Sequence, residues 1–271
     1  MMTQRASRRP GYDPAAYGDR HAHVYDRIYG ARSAPGAAVD ALAAAGRDGG
    51  VLELGAGTGR LAIPLAARGI QVDGIEASPA MAAELRSRPG GDAVGIVIAD
   101  MAGFDLPYRH YGAAVCAVST LFMLPHPAQQ SCIQAAARHL RPGGTLFIET
   151  FRLDPRRFDA HGHRTEQRHA ETGTHTVRSR HDPAAQALHI THILGGGDGA
   201  SRAYDVTLWY TSLAQLDAMA RAAGLERHAC WHDWTGTPLR PGTTDPVSLY
   251  RRPCPGQDAR ELSARPPGTG P

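Results

Sequence analysis

Apolar residues fall in short blocks along this chain, and the blocks alternate between two periods. Val51, Leu52 and Leu54 lead into glycines at 55, 57 and 59, and Leu61, Ile63 and Leu65 follow at spacings that suit a helix. Run, tight turn and helix start predict a strand–turn–helix unit. Further apolar runs predict strands over Ile70–Glu76, Val94–Ala99, Tyr111–Thr120 and Thr145–Phe151. The run from Tyr111 is rich in Ala, Val and Cys, as a central strand buried on both faces should be. Ala37–Ala45 and Gln129–Leu140 read as helices, the second ended by Arg141-Pro-Gly-Gly144. Strands alternating with helices predict an α/β fold with a doubly wound sheet and a ligand at its carboxyl edge.

The pattern changes on either side of this core. Residues 1–14 are polar and expected to be mobile. Tyr17, His21, Tyr25 and Tyr29 recur every four residues, which places them on one face of a helix. Asp154–Gln167 is polar and charged and reads as a connection. Thr174–Arg180, Ala187–Leu194 and Ala203–Tyr210 then read as three strands joined by turn signals, hence an antiparallel insert. A helix is expected over Ser212–Ala223 with Ser212 as N-cap, and strands over Leu225–Trp234 and Val247–Arg251. Residues 253–271 are rich in Pro, Gly and charge and read as a disordered tail.

Composition narrows the chemistry. All 29 basic residues are arginine, which excludes a Schiff-base lysine and a P-loop lysine. A net charge of +3 without basic clusters gives no reason to expect nucleic acid. Four scattered cysteines make no CxxC pair, so a reduced, cytoplasmic setting without structural zinc is expected. No apolar run approaches the ~20 residues of a membrane span, and the N-terminus has no apolar signal core. The His161/His163 and His189/His192 pairs lack a completing ligand at a familiar spacing, so no metal is expected.

Two ligand classes use a glycine turn of this kind. A dinucleotide site is G-x-G-x-x-G with a pyrophosphate on the helix N-terminus. Here the spacing is G-x-G-x-G, and Glu53 precedes the first glycine by two residues. A carboxylate there repels a pyrophosphate and suits a ligand bearing an ammonium group. Glu76 lies 21 residues after Gly55, in the range where an acid meets ribose hydroxyls.

The E-x-G-x-G-x-G run resembles motif I of class I S-adenosylmethionine (SAM)-dependent methyltransferases. The Tyr25-Asp-Arg-Ile-Tyr29 segment, the Glu76–Met81 stretch, Asp100-Met101 before Phe104 and Leu106, and the run from Leu140 to Glu149 resemble further segments of the same family. The resemblance spans roughly Tyr17 to Phe151. It implies a seven-stranded Rossmann-like sheet with an antiparallel last strand, and SAM as cofactor with S-adenosylhomocysteine (SAH) as product. The three-stranded insert would then form a lid over a small-molecule acceptor. The implied units are an arm and cap helices (1–46), a SAM-binding core (47–160), the lid insert (161–211), the rest of the core (212–252) and the tail (253–271).

The resemblance also implies site residues. Those for the cofactor are Tyr17, Tyr25, Glu53, Gly55, Ala56, Gly57, Gly59, Glu76, Ala77, Met81, Asp100, Met101 and Ser119, with Asp100 toward the adenine amino group. Many relatives carry a histidine near Phe122 and Met123; this chain does not, so His126, Tyr25 and Tyr210 are the candidate bases. Tyr29, Phe122, Trp209, Tyr210 and Trp234 are the candidate acceptor contacts. Ser119 stands where catechol-type relatives use an aspartate for Mg²⁺, which again argues against metal. The expected reaction is in-line methyl transfer to an O or N atom of a small molecule, with no nucleic acid and no membrane. Self-association as a homodimer is left open. Two other readings also stay open: a SAM enzyme acting on the aminocarboxypropyl arm, and a SAM-binding module without catalysis.

Overall fold

The run Val51–Leu54 forms strand β1, buried along its whole length. A computed structural model describes residues 12–29, 36–107, 110–170, 173–195 and 201–255, and for 27–29, 168–170 and 173 the backbone alone. Parallel to β1 on one side run β2 (Val72–Glu76) and then β3 (Gly95–Ile98); on the other run β4 (Tyr111–Cys116) and then β5 (Leu140–Glu149). β11 (Val247–Arg251) joins antiparallel to β5, and β10 (Glu226–Trp231) pairs antiparallel with β11 at the edge. The sheet is thus seven-stranded, in the order β10-β11-β5-β4-β1-β2-β3. The chain leaves β1 in one direction and resumes at β4 in the other. That reversal opens a crevice at the carboxyl ends of β1 and β4, where ligands of such sheets bind.

Both faces of the central strands are apolar, and the alternation of side chains assigns each face its helices. Leu52, Leu54, Ala114, Cys116, Leu146 and Ile148 share one core with Cys132 and Ile133 of α5 (His126–His139) and Leu216 and Ala220 of α6 (Leu213–Ala222). Val51, Ala113, Val115 and Phe147 share the other with α2 (Gly36–Gly46), α3 (Ala62–Ala66) and α4 (Pro79–Ser87), through residues such as Leu42, Leu65 and Leu85. Local signals fix the helix starts. Ser78 caps α4 by accepting from the Met81 N–H, with Pro79 in the first turn. Ser212 and Gln215 form a reciprocal capping box at α6.

The insert departs from expectation. It has four antiparallel strands rather than three: β6 (His163–Ala170), β7 (Gly173–Asp182), β8 (Ala187–Gly195) and β9 (Ser201–Trp209), paired in that order. The strand missed is β6, which lies in and beyond the polar stretch read as a connection. Residues 163–167 alternate between exposed and half-buried, and the sequence of the strand has no apolar face, so the period of two carries no hydrophobic signal. Boundaries shift too, two of them by four residues or more. β4 ends at Cys116 rather than Thr120, because Val118 and Ser119 turn into left-handed backbone (φ 51° and 57°). β5 starts at Leu140 rather than Thr145, since Leu140 already pairs with Tyr111. Residues 1–11 of the expected arm, and the expected tail from 256 onward, lie outside the described residues.

Gln129 fastens the far end of the insert to the core. Its wholly buried amide donates to the carbonyls of Leu124 (2.9 Å) and Trp209 (2.6 Å), and its oxygen accepts from Thr211 Oγ1 (2.6 Å). Gln129→Leu keeps the volume and strands all three partners. It should lower stability by about 2–4 kcal/mol, and Thr211→Val by about 1 kcal/mol, both read from the midpoint of urea unfolding.

Candidate active site

The glycine turn after β1 forms the floor of the crevice. Gly55 and Gly57 both take left-handed backbone (φ 73° and 55°), and a Cβ on Gly55 would lie 2.5 Å from Thr120 Cγ2. Only glycine holds this path without strain or collision. Glu76, at the end of β2, fixes the turn from the next strand. Its Oε2 accepts the Gly57 N–H and its Oε1 the Ser78 N–H, each at 2.8 Å. Burial pushes the Glu76 pKa up, against the pull of these backbone donors. The carboxylate is therefore oriented before any ligand arrives, and each oxygen keeps a second lone pair for a hydroxyl.

The wall continues with Asp100 after β3, whose Oδ1 accepts from the Ala102 N–H (2.9 Å) and from the hydroxyl of Tyr12 (3.4 Å). Helix α1 (Ala16–Tyr29) crosses above. Asp19 accepts from Ser78 Oγ (2.6 Å), and Asp26 accepts from Thr58 Oγ1 (3.1 Å) and pairs with Arg88. Between these ties the helix lies against α4 so closely that a Cβ on Gly18 would be 2.3 Å from Ser78 Cβ. The result is a cleft of about 710 Å³ floored by Gly55 and Gly57, walled by Glu76, Ala77, Met81, Asp100 and Met101, and roofed by Tyr12, Tyr17 and Tyr25. Among the described residues its lining includes three acids, Asp13, Glu76 and Asp100, and no basic side chain. Such a site favours a cation over a phosphate. The sulfonium and ammonium of SAM meet that requirement, and Glu76 and Asp100 stand ready to accept from hydroxyl and amino groups.

A family profile described as a methyltransferase domain matches residues 51–144. The CcbJ methyltransferase of Streptomyces caelestis is 34% identical over 90% of this chain and 100% of its own, with a TM-score of 0.82. This chain is a class I SAM-dependent methyltransferase. SAM-bound CalS10 of Micromonospora echinaspora, an amino pentose methyltransferase, is 26% identical over 84% of this chain and 96% of its own, with a TM-score of 0.66. The sugar N-methyltransferase KedS8 of a Streptoalloteichus species, at 24% identity over 93% and 99% and a TM-score of 0.62, shares the fold. No curated protein matches the sequence.

Of the residues that the sequence singles out, Tyr17, Tyr25, Gly55, Gly57, Glu76, Ala77, Met81, Asp100 and Met101 come together around the methyltransferase's cleft. Others do not reach it. Glu53 is buried beneath the turn, where burial pushes its pKa up to about 8 against the pull of Arg60 and the Ala62 N–H; its Oε2 finds no partner among the described residues. Ala56 packs into the core behind the turn, and Gly59 sits against Ile63 and Leu85. Ser119 gives its N–H to the Glu149 carbonyl (3.1 Å), and its neighbour Thr120 lines the cleft instead.

The expected bases and acceptor contacts fare less well. His126 Nε2 donates to the Tyr210 carbonyl (3.1 Å), and the Tyr210 hydroxyl shares a hydrogen bond with His181 Nε2 (2.8 Å). Neither lines the cleft; both tie the insert's return to its surroundings. Phe122 is wholly buried, edge-on to Phe151 (5.1 Å), so its ring belongs to the core. Trp209 holds Gln129 through its carbonyl at the end of β9. Trp234 stacks on Phe147 (6.0 Å) with the opposite sheet face. The side chain of Tyr29 lies outside the described residues.

The sequence pattern does not single out Tyr12, Asp13 and Pro14, which fall in the polar arm, nor Thr120 and Met123, yet all five line the cleft. The aromatic Tyr12 inside a polar arm was the one signal available. Thr120 and Met123 follow the two left-handed residues, whose path Glu149 holds by accepting the Val118 N–H (2.7 Å). A β-branched residue at positive φ is strained, and here the strain turns the chain into the cleft.

Two tests follow. Glu76→Ala should weaken SAM binding by about 1.5–3 kcal/mol in calorimetry, the scale of a lost charged partner; unchanged affinity removes Glu76 from the site. Glu53 gives a pH signature. Its folded pKa of about 8 lies above the unfolded value of 4.5, so between these limits the folded state keeps a proton that the unfolded state loses. Stability of the unliganded protein should therefore fall as pH rises through this window and level off above it. Urea melts across the range should show this slope, and Glu53→Gln should remove its share.

Proposed function

We propose that this enzyme transfers the methyl group of SAM to a nitrogen or oxygen of a small-molecule acceptor, by in-line displacement and without metal. The supporting observation is the cleft itself, lined among the described residues by three acids and no basic side chain and roofed by three tyrosines. In this reading Glu76 takes the ribose hydroxyls and Asp100 the adenine amino group. The turn at Gly55–Gly57 admits the methionine end. The four-stranded insert, with the surrounding 161–211 segment, faces the acceptor. Nitrogen is the preferred atom because CalS10, 26% identical, is an amino pentose methyltransferase.

SAM, when bound, supplies a methyl group on a sulfonium that is already a good leaving group. The chain's contribution is orientation and exclusion of water: α1, pinned by Asp19 and Asp26, closes the cleft and holds Tyr17 and Tyr25 above it. A cytoplasmic setting without nucleic acid or membrane remains part of the proposal. It rests on the mild charge and scattered cysteines; among the described residues no helix is long and apolar enough to cross a membrane.

The test is a screen of amine- and hydroxyl-bearing metabolites with labelled SAM. Methyl transfer gives an acceptor heavier by one methylene together with released SAH, and turnover should survive EDTA. Methylthioadenosine in place of SAH would indicate reaction on the aminocarboxypropyl arm. Loss of turnover on chelation, restored by Mg²⁺, would refute the metal-free mechanism.

A further inference from the structure

One turn of α1 separates Tyr17 from His21, and another separates His21 from Tyr25. The two tyrosines line the cofactor cleft. His21 between them is 1% exposed and faces β9, its ring centroid 4.7 Å from that of Tyr204. Its Nδ1 meets the Tyr17 carbonyl. A carbonyl only accepts, so Nδ1 carries the proton and Nε2 presents a bare lone pair. Among the described residues that Nε2 has no partner, and neither does the buried hydroxyl of Tyr204. Burial holds the His21 pKa below its usual value, outweighing the Tyr17 carbonyl that raises it, with Arg20 and His23 adding to the depression. The imidazole is therefore neutral near pH 7.

A buried acceptor and a buried donor left unmade on two neighbouring rings are costly unless something completes them. Their place in the fold says what that is. β9 packs against α1 and also against the Thr120–Met123 turn. These are the elements that supply Tyr17, Tyr25, Thr120 and Met123 to the cleft. The pair thus stands where the insert meets the elements of the cofactor site.

We infer that His21 Nε2 and Tyr204 Oη form a polar subsite for the methyl acceptor, recognising a group that donates one hydrogen bond and accepts another, a hydroxyl first of all. The inference rests on the acceptor reading above. His21 accepts the ligand's O–H, Tyr204 donates to the ligand's oxygen, and the ligand's ring or chain is thereby set in register with the cleft. Both atoms are sealed from solvent in the unliganded chain, so entry requires α1 and β9 to part. The ties of α1 through Asp19 and Asp26 run to α4, Thr58 and Arg88, not to β9.

The test uses the full chain with ¹⁵N-labelled histidine, loaded with SAH, and two ring probes. Cyclohexanol can both donate and accept; cyclohexanone can only accept. SAH binding is measured first by calorimetry, and its absence would overturn the cofactor reading and this inference with it. With SAH bound, cyclohexanol should move the His21 Nε2 resonance and cyclohexanone should not, because the ketone has no proton to give. Tyr204→Phe should weaken cyclohexanol binding about five- to tenfold while leaving SAH affinity unchanged. SAH bound normally with no response of Nε2 to cyclohexanol, or an equal response to both probes, would overturn the subsite. So would Tyr204→Phe binding cyclohexanol as tightly as the wild type, which would make the pair a packed, water-bridged contact.

Discussion

The bond from the Gly57 N–H to the Glu76 carboxylate is the constraint on which the active site depends. It joins the turn after β1 to the end of β2 at the reversal of strand order. A left-handed glycine path has no preference of its own strong enough to persist at a surface; the buried carboxylate holds it. The second oxygen of Glu76 takes the Ser78 N–H and so sets the entry to α4. Ser78 in turn gives its hydroxyl to Asp19 of α1. One side chain thus positions the floor of the cleft, the helix beside it and, through Ser78, the helix above it.

The roof follows from the same economy of contacts. α1 is polar on average and, among its described residues, buries Gly18, His21 and Val24. It is held by polar ties at Asp19 and Asp26, spaced seven residues apart on one face, and by the glycine that lets it approach α4. The tyrosines on its inner face complete a cavity whose charge is negative and whose walls are otherwise apolar. Electrostatics then selects the cofactor: a cation is welcome there and a phosphate is not.

Much of this was legible in the chain. The glycine spacing and the carboxylates at 76 and 100 report strand ends and a turn, and local signals of that kind survive in any fold that uses them. The alternation of apolar runs gave the central sheet because both faces of β1 and β4 are buried. What escaped depends on tertiary contact. β6 has no apolar face, so its pairing with β7 leaves no periodic trace. Thr120 and Met123 enter the cleft only because Glu149 bends the chain at Val118 and Ser119. His126, Tyr210 and Trp234 carry the chemistry expected of a site, yet they spend it on a backbone carbonyl, a neighbouring histidine and the Phe147 ring. Residue type could not reveal that, since partners distant in sequence decide it.

The four-stranded insert is fastened to the core at its ends. Near its beginning the Arg152 N–H donates to the Thr244 carbonyl (2.6 Å); at its return Gln129 clasps Trp209 and Thr211. The residues that hold these ends lie outside the strands β6 to β8, and those that shape the glycine turn lie further off still. None of the described residues lining the cofactor cleft comes from β6, β7 or β8. If the insert meets the acceptor, as proposed above, changes confined to β6–β8 would alter which compound is methylated while the floor and roof of the cofactor cleft keep their residues.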